Sequence, residues 1–330
     1  ILSTMTETEI NSHISRISEI SGINFDNINH GSDAEHVGIE WNHVSLHVPS
    51  DNSRLKDGPY YYKGSSIVHF TSRESFDAIL KSKSIRLSNL HKLNDPREFS
   101  FAGELFNLND HEREEARREM YLMSFCDSSI LTSGEIANEF NLWRLYGEFG
   151  CGIAIEFSIL TDPMLWFEMH LSSVIYGAKK RRRFKDLFQS IKALRNEVSI
   201  DVQKLCAFHK SSIYNIEREV RLLYDGRQNK IGRGRRKTYL GNGELLFPNI
   251  EIDAKDSRIQ YLYLPIYRSD LSLHFYEDLP LLRIEKVHLG FQHKCDQLVK
   301  TEIENRLSNC LGYVPTVNFS RLVKPYWGKV

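Results

Sequence analysis

Ser66-Ile67-Val68-His69-Phe70 is a compact strand-forming run, and Thr71-Ser72-Arg73-Glu74 follows it with no linker. The hydroxyl-then-carboxylate spacing of the second segment is a capping box, in which two side chains satisfy free amides at a helix start. The chain must pass straight from strand into helix, and Phe76, Ile79 and Leu80 form that helix's buried stripe. The alternation recurs. Strand patterns are expected at 84–90, 121–126, 151–157, 174–176, 219–224, 259–264, 284–289 and 316–319. Helical patterns are expected at 104–119, 135–146, 184–211 and 295–311. Asn94-Asp95-Pro96-Arg97-Glu98 reads as a turn that stops the second strand. Short strands at irregular intervals among helices predict an α+β fold rather than a doubly wound parallel sheet.

The first segment is different in kind. Thr6-Glu7-Thr8-Glu9 is another capping box, and Ile10, Ile14, Ile17 and Ile20 recur at helical spacing behind it. Residues 22–64 are rich in Asn, Asp, Ser, His and Gly. Residues 1–60 are therefore expected to form an N-terminal helical extension packed on a main domain of residues 61–330.

Charge then limits the partners. Lys plus Arg and Asp plus Glu are each 43 of the 330 residues, so no global field draws the molecule to nucleic acid or an anionic membrane. Any such attraction must be local. No apolar run reaches the roughly 18 residues of a membrane-crossing helix, so no membrane partner is expected. The five cysteines are scattered and never spaced as C-x-x-C, which suits a reduced, cytoplasmic protein. The P-loop, zincin and hydrolase-elbow patterns are missing. His288, His293 and Cys295 are close in sequence, but no second ligand pair stands at zinc spacing, so no metal is expected. Two basic segments remain. One is Lys179-Lys180-Arg181-Arg182-Arg183; the other carries Arg233, Arg235 and Arg236 around Gly232 and Gly234. Both suit phosphate contacts, and both also suit a plain solvated face.

Five motifs occur in a fixed order: Ile67-Val68-His69-Phe70-Thr71-Ser72; Asn94-Asp95-Pro96-Arg97-Glu98; Met123-Ser124-Phe125-Cys126; Trp143 and Tyr146 ahead of Gly152-Ile153-Ala154-Ile155-Glu156-Phe157; and Glu217-Arg218-Glu219-Val220-Arg221. In order and spacing they resemble a bacterial domain-of-unknown-function family, over about residues 60 to 326. That family's layout looks similar to the ADP-ribosyltransferase fold, with mixed sheets and flanking helices. The resemblance implies NAD as co-substrate and a His–Tyr–Glu set around it. It places His69 on a ribose, Thr71 and Ser72 beside the nicotinamide, and Ser124 among the cofactor contacts. Tyr146, or Trp143 one turn earlier, would stack on the nicotinamide ring. Glu219 would be the catalytic carboxylate, and Glu217, on the same strand face, would orient the acceptor. The setting it implies is a bacterial toxin or anti-phage effector that ADP-ribosylates a macromolecule, with a restraining partner protein. Arg181, Arg182, Arg183, Arg233, Arg235 and Arg236 would favour nucleic acid as acceptor. Phe70 departs from the pattern, because many such enzymes have Gly after the strand His.

The same residues have plainer readings. A strand His such as His69 is often structural, Trp143 and Tyr146 have the spacing of a core face, and Glu219 between Arg218 and Arg221 suits a structural ion pair. The rival function is a non-catalytic nucleotide- or polyanion-binding module on the same scaffold.

Overall fold

The computed structural model describes residues 5–29, 44–49, 52–93, 95–227, 238–239, 245–271, 276 and 278–323. Arg233, Arg235 and Arg236 lie outside the described residues, as does Asn94. The fold is α+β. Its main sheet has ten strands among the described residues, numbered here along the chain: β1 Ser66–Thr71, β2 Ser84–Asn89, β3 Met120–Asp127, β4 Ile153–Ile159, β5 Met169–Ser173, β6 Glu219–Asp225, β7 Asn249–Ile252, β8 Gln260–Pro265, β9 Leu282–Leu289 and β10 Thr316–Phe319. The spatial order is β7-β8-β2-β3-β1-β4-β9-β10, with β6 on the other edge of β3 and β5 beyond it. Every pairing is antiparallel except β9 with β10.

One strand makes the sheet unusual. Along one edge, β3 pairs with β6 from Met120 to Cys126 without a break. Along its other edge it serves two strands in turn. β2 takes Tyr121 and Leu122, and β1 takes Cys126 and Asp127. The sheet forks there, and Met123, Ser124 and Phe125 face the gap between the prongs.

Among the described residues eight α-helices accompany the sheet: α1 Glu7–Ser21, α2 Arg73–Ser82, α3 Pro96–Leu105, α4 Asp110–Glu119, α5 Ile136–Tyr146, α6 Arg182–Leu194, α7 Gln203–Cys206 and α8 Gln297–Leu311. Strand alternation assigns the faces. Ile67, Ile85, Leu87, Met123, Phe125, Val220 and Leu222 point to one side and join Phe76 of α2 with Ile303 and Leu307 of α8 in one core. The opposite face carries two separate cores. Leu122 and Leu223 pack with residues of α1, α3 and α6. Val68, Phe70 and Cys126 pack with Leu142 and Trp143 of α5.

Several sequence expectations shift by identifiable causes. Thr6 caps α1 with the reciprocal box. The cap of α2 is Ser72 alone, bonded to the Ser75 amide, because the third helical position holds Ser75 where a box needs an acid. The 94–98 segment does not simply stop a strand: Asp95 caps α3, and Glu98 lies in its first turn. The charged 104–119 stretch is divided, with Asn109 capping α4. The long helix expected over 184–211 ends at Leu194. Beyond it come a strand at Ser199–Asp201, the short α7 and a strand at His209–Lys210. The Ser199–Asp201 strand pairs with Val44–His47, which in turn pairs with Asp26–Asn29, so the first residues interlock with the middle of the chain.

Candidate active site

The seam between the two cores on one sheet face holds a cavity of about 390 Å³. Its floor is the fork. Leu122 to Cys126 of β3 line it without a break, because the gap between the prongs opens both faces there, with Arg86 and Ser88 of β2 and Glu219 and Arg221 of β6 beside them. His69 lies on β1, the prong that leaves β3 after Cys126. Its Nδ1 is 3.1 Å from the Ser124 carbonyl oxygen, so the ring bridges backbone that lacks a strand partner. Its edge meets Phe125 at 5.8 Å between ring centres. Burial holds His69 below its ordinary pKa against the opposing effect of that backbone bond, so the ring is neutral at physiological pH.

An ionic cluster fills the β6 side. Lys210 Nζ lies 2.7 Å from Glu219, 2.8 Å from Glu217 and 3.2 Å from Glu98. Arg221 Nε donates to Glu219 at 2.8 Å, and the same guanidinium also binds Glu98 and the Ala207 carbonyl. The Ser124 hydroxyl donates to Glu219 as well. Burial alone would raise the Glu219 carboxyl, but Arg221 and then Lys210 outweigh it and hold its pKa down at about 2. Burial opposes the Lys210 charge too, yet the carboxylates around it leave its pKa raised. Three carboxylates face two cations, so the cluster carries one net negative charge. Tyr146, the last residue of α5, donates its hydroxyl to Glu217 at 2.7 Å. Burial, and next that bond, raise its pKa, so the phenol stays protonated.

His69, Ser124, Tyr146, Glu217 and Glu219 are thus brought to one cavity. Glu217 arrives by a different route from the one expected. It ends the 3₁₀ turn Ser212–Glu217 rather than lying on β6, and the left-handed Arg218 redirects the chain into the strand.

Other expected residues are elsewhere. Trp143 cannot stack on a ligand: it is wholly buried beneath α5, edge-on to Phe70 at 5.0 Å, with its indole N–H on Glu139. Thr71 and Ser72 lie past the fork and do not line the cavity, and the Ser72 hydroxyl is committed to the α2 cap. Arg181, Arg182 and Arg183 are exposed at the start of α6, away from the lining. Arg183 donates to the Ile20 and Glu19 carbonyls at the end of α1.

Several lining residues had no role in the sequence reading. Arg221 and Glu98 stand inside the quoted motifs, and Arg86 and Ser88 form the polar face of an otherwise apolar strand, so a signal existed for each. Lys210 lies in a stretch with helical periodicity, and nothing local marks it.

Among the described residues no group of three or more His, Cys, Asp or Glu could hold a metal ion, and no helix is long and apolar enough to cross a membrane. Comparison with known proteins returns nothing similar, neither a family model, nor a curated protein, nor a solved structure.

Proposed function

We propose that this chain cleaves NAD in the cavity and transfers ADP-ribose to a macromolecule. The observation that carries the reading is the meeting of a net-negative carboxylate cluster, a neutral imidazole and a protonated phenol around one half-open cavity. Breaking the nicotinamide–ribose bond sends its electron pair to the nicotinamide nitrogen and leaves a cationic, oxocarbenium-like sugar. Excess negative charge fixed beside that sugar lowers the barrier, because the groups are already oriented when the charge develops. The neutral His69 accepts or donates a hydrogen bond to a ribose hydroxyl without adding opposing positive charge. Glu219 stays ionised across the physiological range, as the role requires. An acceptor hydroxyl or amine then bonds to the anomeric carbon and loses its proton toward Glu217, whose other hydrogen bonds come from Tyr146 and Lys210. Nucleic acid is the acceptor class that the exposed Arg181 and Arg182 favour.

The test is incubation with adenine-labelled NAD and separate pools of RNA, DNA and protein. Label should enter one pool, and Glu219→Gln should cut transfer by about 10²–10³, the usual cost of one preorganised electrostatic group. Tyr146→Phe leaves the ionic cluster intact and should cut it less, about 5- to 10-fold for one hydrogen bond. NAD binding without turnover in the unaltered protein would leave the non-catalytic binding module as the better description. Full turnover in a folded Glu219→Gln variant would refute the assignment.

A further inference from the structure

The cavity is electrically lopsided, and its second end has no role in the chemistry above. On the β6 side every cation is spent. Arg221 and Lys210 are buried, and both are ion-paired to carboxylates. On the β2 side stand Arg86 and Lys92, both exposed and both lining the cavity. Among the described residues neither forms an ion pair. β2 and β6 flank β3 from opposite edges, so the two ends are separated by at least two strand spacings, about 10 Å.

Arg86 is held in place without using its charge. Its guanidinium carbon stands 4.2 Å over the Tyr261 ring, beside the Tyr263 hydroxyl. A guanidinium over an aromatic face commits that face; here one N–H is also shared with the Tyr263 hydroxyl, and the remaining in-plane N–H groups keep the geometry that matches phosphate oxygens. The nearby carboxylates take their hydrogen bonds from other groups, although Asp253 lies within the field of Lys92; Asp95, which also lines the cavity, accepts from the Tyr214 hydroxyl and the Arg97 amide. Asp253 accepts from the Tyr261 hydroxyl and Glu251 from the Tyr263 hydroxyl, each at 2.8 Å. Ser88 lies two residues along β2 on the same face as Arg86, and so adds a hydroxyl to the same wall. Lys92 ends the 3₁₀ turn that follows β2 and supplies a second, point-like positive charge.

We propose that Arg86 and Lys92, with Ser88, form the phosphate subsite of this cavity, and that its ligand carries a diphosphate. The inference deepens the NAD reading by placing the diphosphate at the β2 end and the reacting ribose at the β6 end. It needs only the cavity and its charges, and it is tested by binding alone.

Calorimetric titration with ADP, inorganic pyrophosphate and nicotinamide riboside separates the ends. ADP and pyrophosphate should bind with an affinity that falls as salt rises, through screening of Arg86 and Lys92. Arg86→Gln should weaken ADP by about 10-fold or more, the cost of a hydrogen bond to a charged group. Lys92→Gln should weaken it less, and Arg86→Lys should restore part of the loss. Nicotinamide riboside, which has no phosphate, should bind Arg86→Gln as it binds the unaltered protein. Lys300→Gln, on the far face in α8, controls for net charge and should change nothing. ADP affinity unchanged in both Arg86→Gln and Lys92→Gln would overturn the subsite, as would absence of ADP binding to the unaltered protein. The two proposals fail separately. Loss of ADP binding in Arg86→Gln in a protein that never turns over NAD keeps the subsite and removes the transferase. Turnover with a KM for NAD indifferent to Arg86→Gln does the reverse.

Discussion

Two buried ionic networks of similar make-up sit at opposite ends of β6. At its start, Glu219 joins Arg221, Lys210, Glu98 and Glu217. Just past its end, Arg227 grips Asp225 with Nε at 2.9 Å and a terminal nitrogen at 2.7 Å, and reaches Asp201 at 3.0 Å. Each holds more carboxylates than arginines, and each depresses a carboxyl pKa, that of Glu219 in the first and of Asp201 in the second. Their surroundings differ. The Arg227 network ties β6 to the strand pair Val44–His47 and Ser199–Asp201, and none of its residues lines the cavity at the fork. The Glu219 network is bordered by Ser124, Tyr146 and His69 and opens on about 390 Å³ of space. A buried arginine–carboxylate pair is therefore not by itself a sign of function. Access makes the difference, with His69, Ser124 and Tyr146 at the open side of one network only.

The largest expected effect comes from breaking the closed network. Arg227→Met leaves Asp225, which is wholly buried, without its bidentate partner, and such a loss costs roughly 3–5 kcal/mol. The melting temperature should fall steeply, while nicotinamide riboside affinity in the folded fraction stays as it was. Arg221→Met should cost a comparable amount, because it too strips buried carboxylates of their partner, and it should also change what the cavity does. Thermal melts paired with nicotinamide riboside titrations check this. If Arg227→Met weakens nicotinamide riboside binding as much as Arg221→Met does, the two networks are not functionally distinct.

Acid acts on the buried histidines before it reaches the carboxylates. His209 is boxed by Phe106, Phe184 and Phe188, accepts or donates to the Tyr60 hydroxyl at 2.9 Å, and is held by burial at a pKa of about 3. His170 is lowered by burial and then by Lys204. Below about pH 6.5 the unfolded chain takes up protons that these folded rings refuse, so stability falls with pH from there downward. Each ring contributes up to about 1.4 kcal/mol per pH unit of that fall. Glu219 has the carboxylate sign. Its stabilisation is complete above about pH 4.5 and is lost as pH drops toward its folded value of about 2. The first acid loss thus comes from buried histidines, His69 at the cavity among them, and the second from the Glu219 carboxylate. His209→Gln, which keeps a partner for Tyr60 but cannot titrate, should flatten unfolding free energy between pH 6.5 and 5. An unchanged slope there would shift the acid loss away from His209.

The elements were legible where local chemistry decides them. β1 and α2 follow from a β-branched run meeting a capping serine, and α1 follows from a complete capping box. The end of α6 was not legible, because Leu205 and Cys206 of the separate short α7, and Phe208 after it, keep an apolar period that still faces the core. Of the site, His69, Tyr146, Glu217 and Glu219 were singled out in the sequence, and the structure gathers them. The fork was not foreseeable, since it depends on β1 and β2 sharing one edge of β3, a long-range pairing with no local signature. Trp143 was misplaced because a helix spacing of three residues does not say which of two aromatics turns inward. Here Trp143 does, onto Phe70, and Tyr146 comes out at the cavity rim.

The smallest effects fall on the basic run at the start of α6, and their signs matter more than their size. Arg182 and Arg183 occupy the first turn of α6, where no acidic residue is present. The helix dipole favours negative charge at that end, so a cation there is mildly unfavourable. Arg183 offsets this through its bond to the Ile20 carbonyl at 2.6 Å, near the last turn of α1. Arg183→Ala should therefore destabilise slightly, by about 0.5–1.5 kcal/mol for one hydrogen bond. Arg182→Glu should stabilise by about 0.3–1 kcal/mol, because it replaces a cation that the helix end disfavours with an anion that it favours. The two arginines are adjacent, yet they move the melting temperature in opposite directions. An exposed basic residue kept at a modest cost to the helix fits a contact outside the fold, and nucleic acid is the partner its charge suits. Arg182→Glu should accordingly weaken RNA or DNA binding and reduce the steepness of its salt dependence by about one phosphate's worth. If Arg182→Glu raises the melting temperature and leaves nucleic-acid affinity and its salt slope unchanged, the α6 run is a solvated surface. The acceptor would then have to be sought among proteins, and the contrast between the closed and open networks of β6 would be untouched.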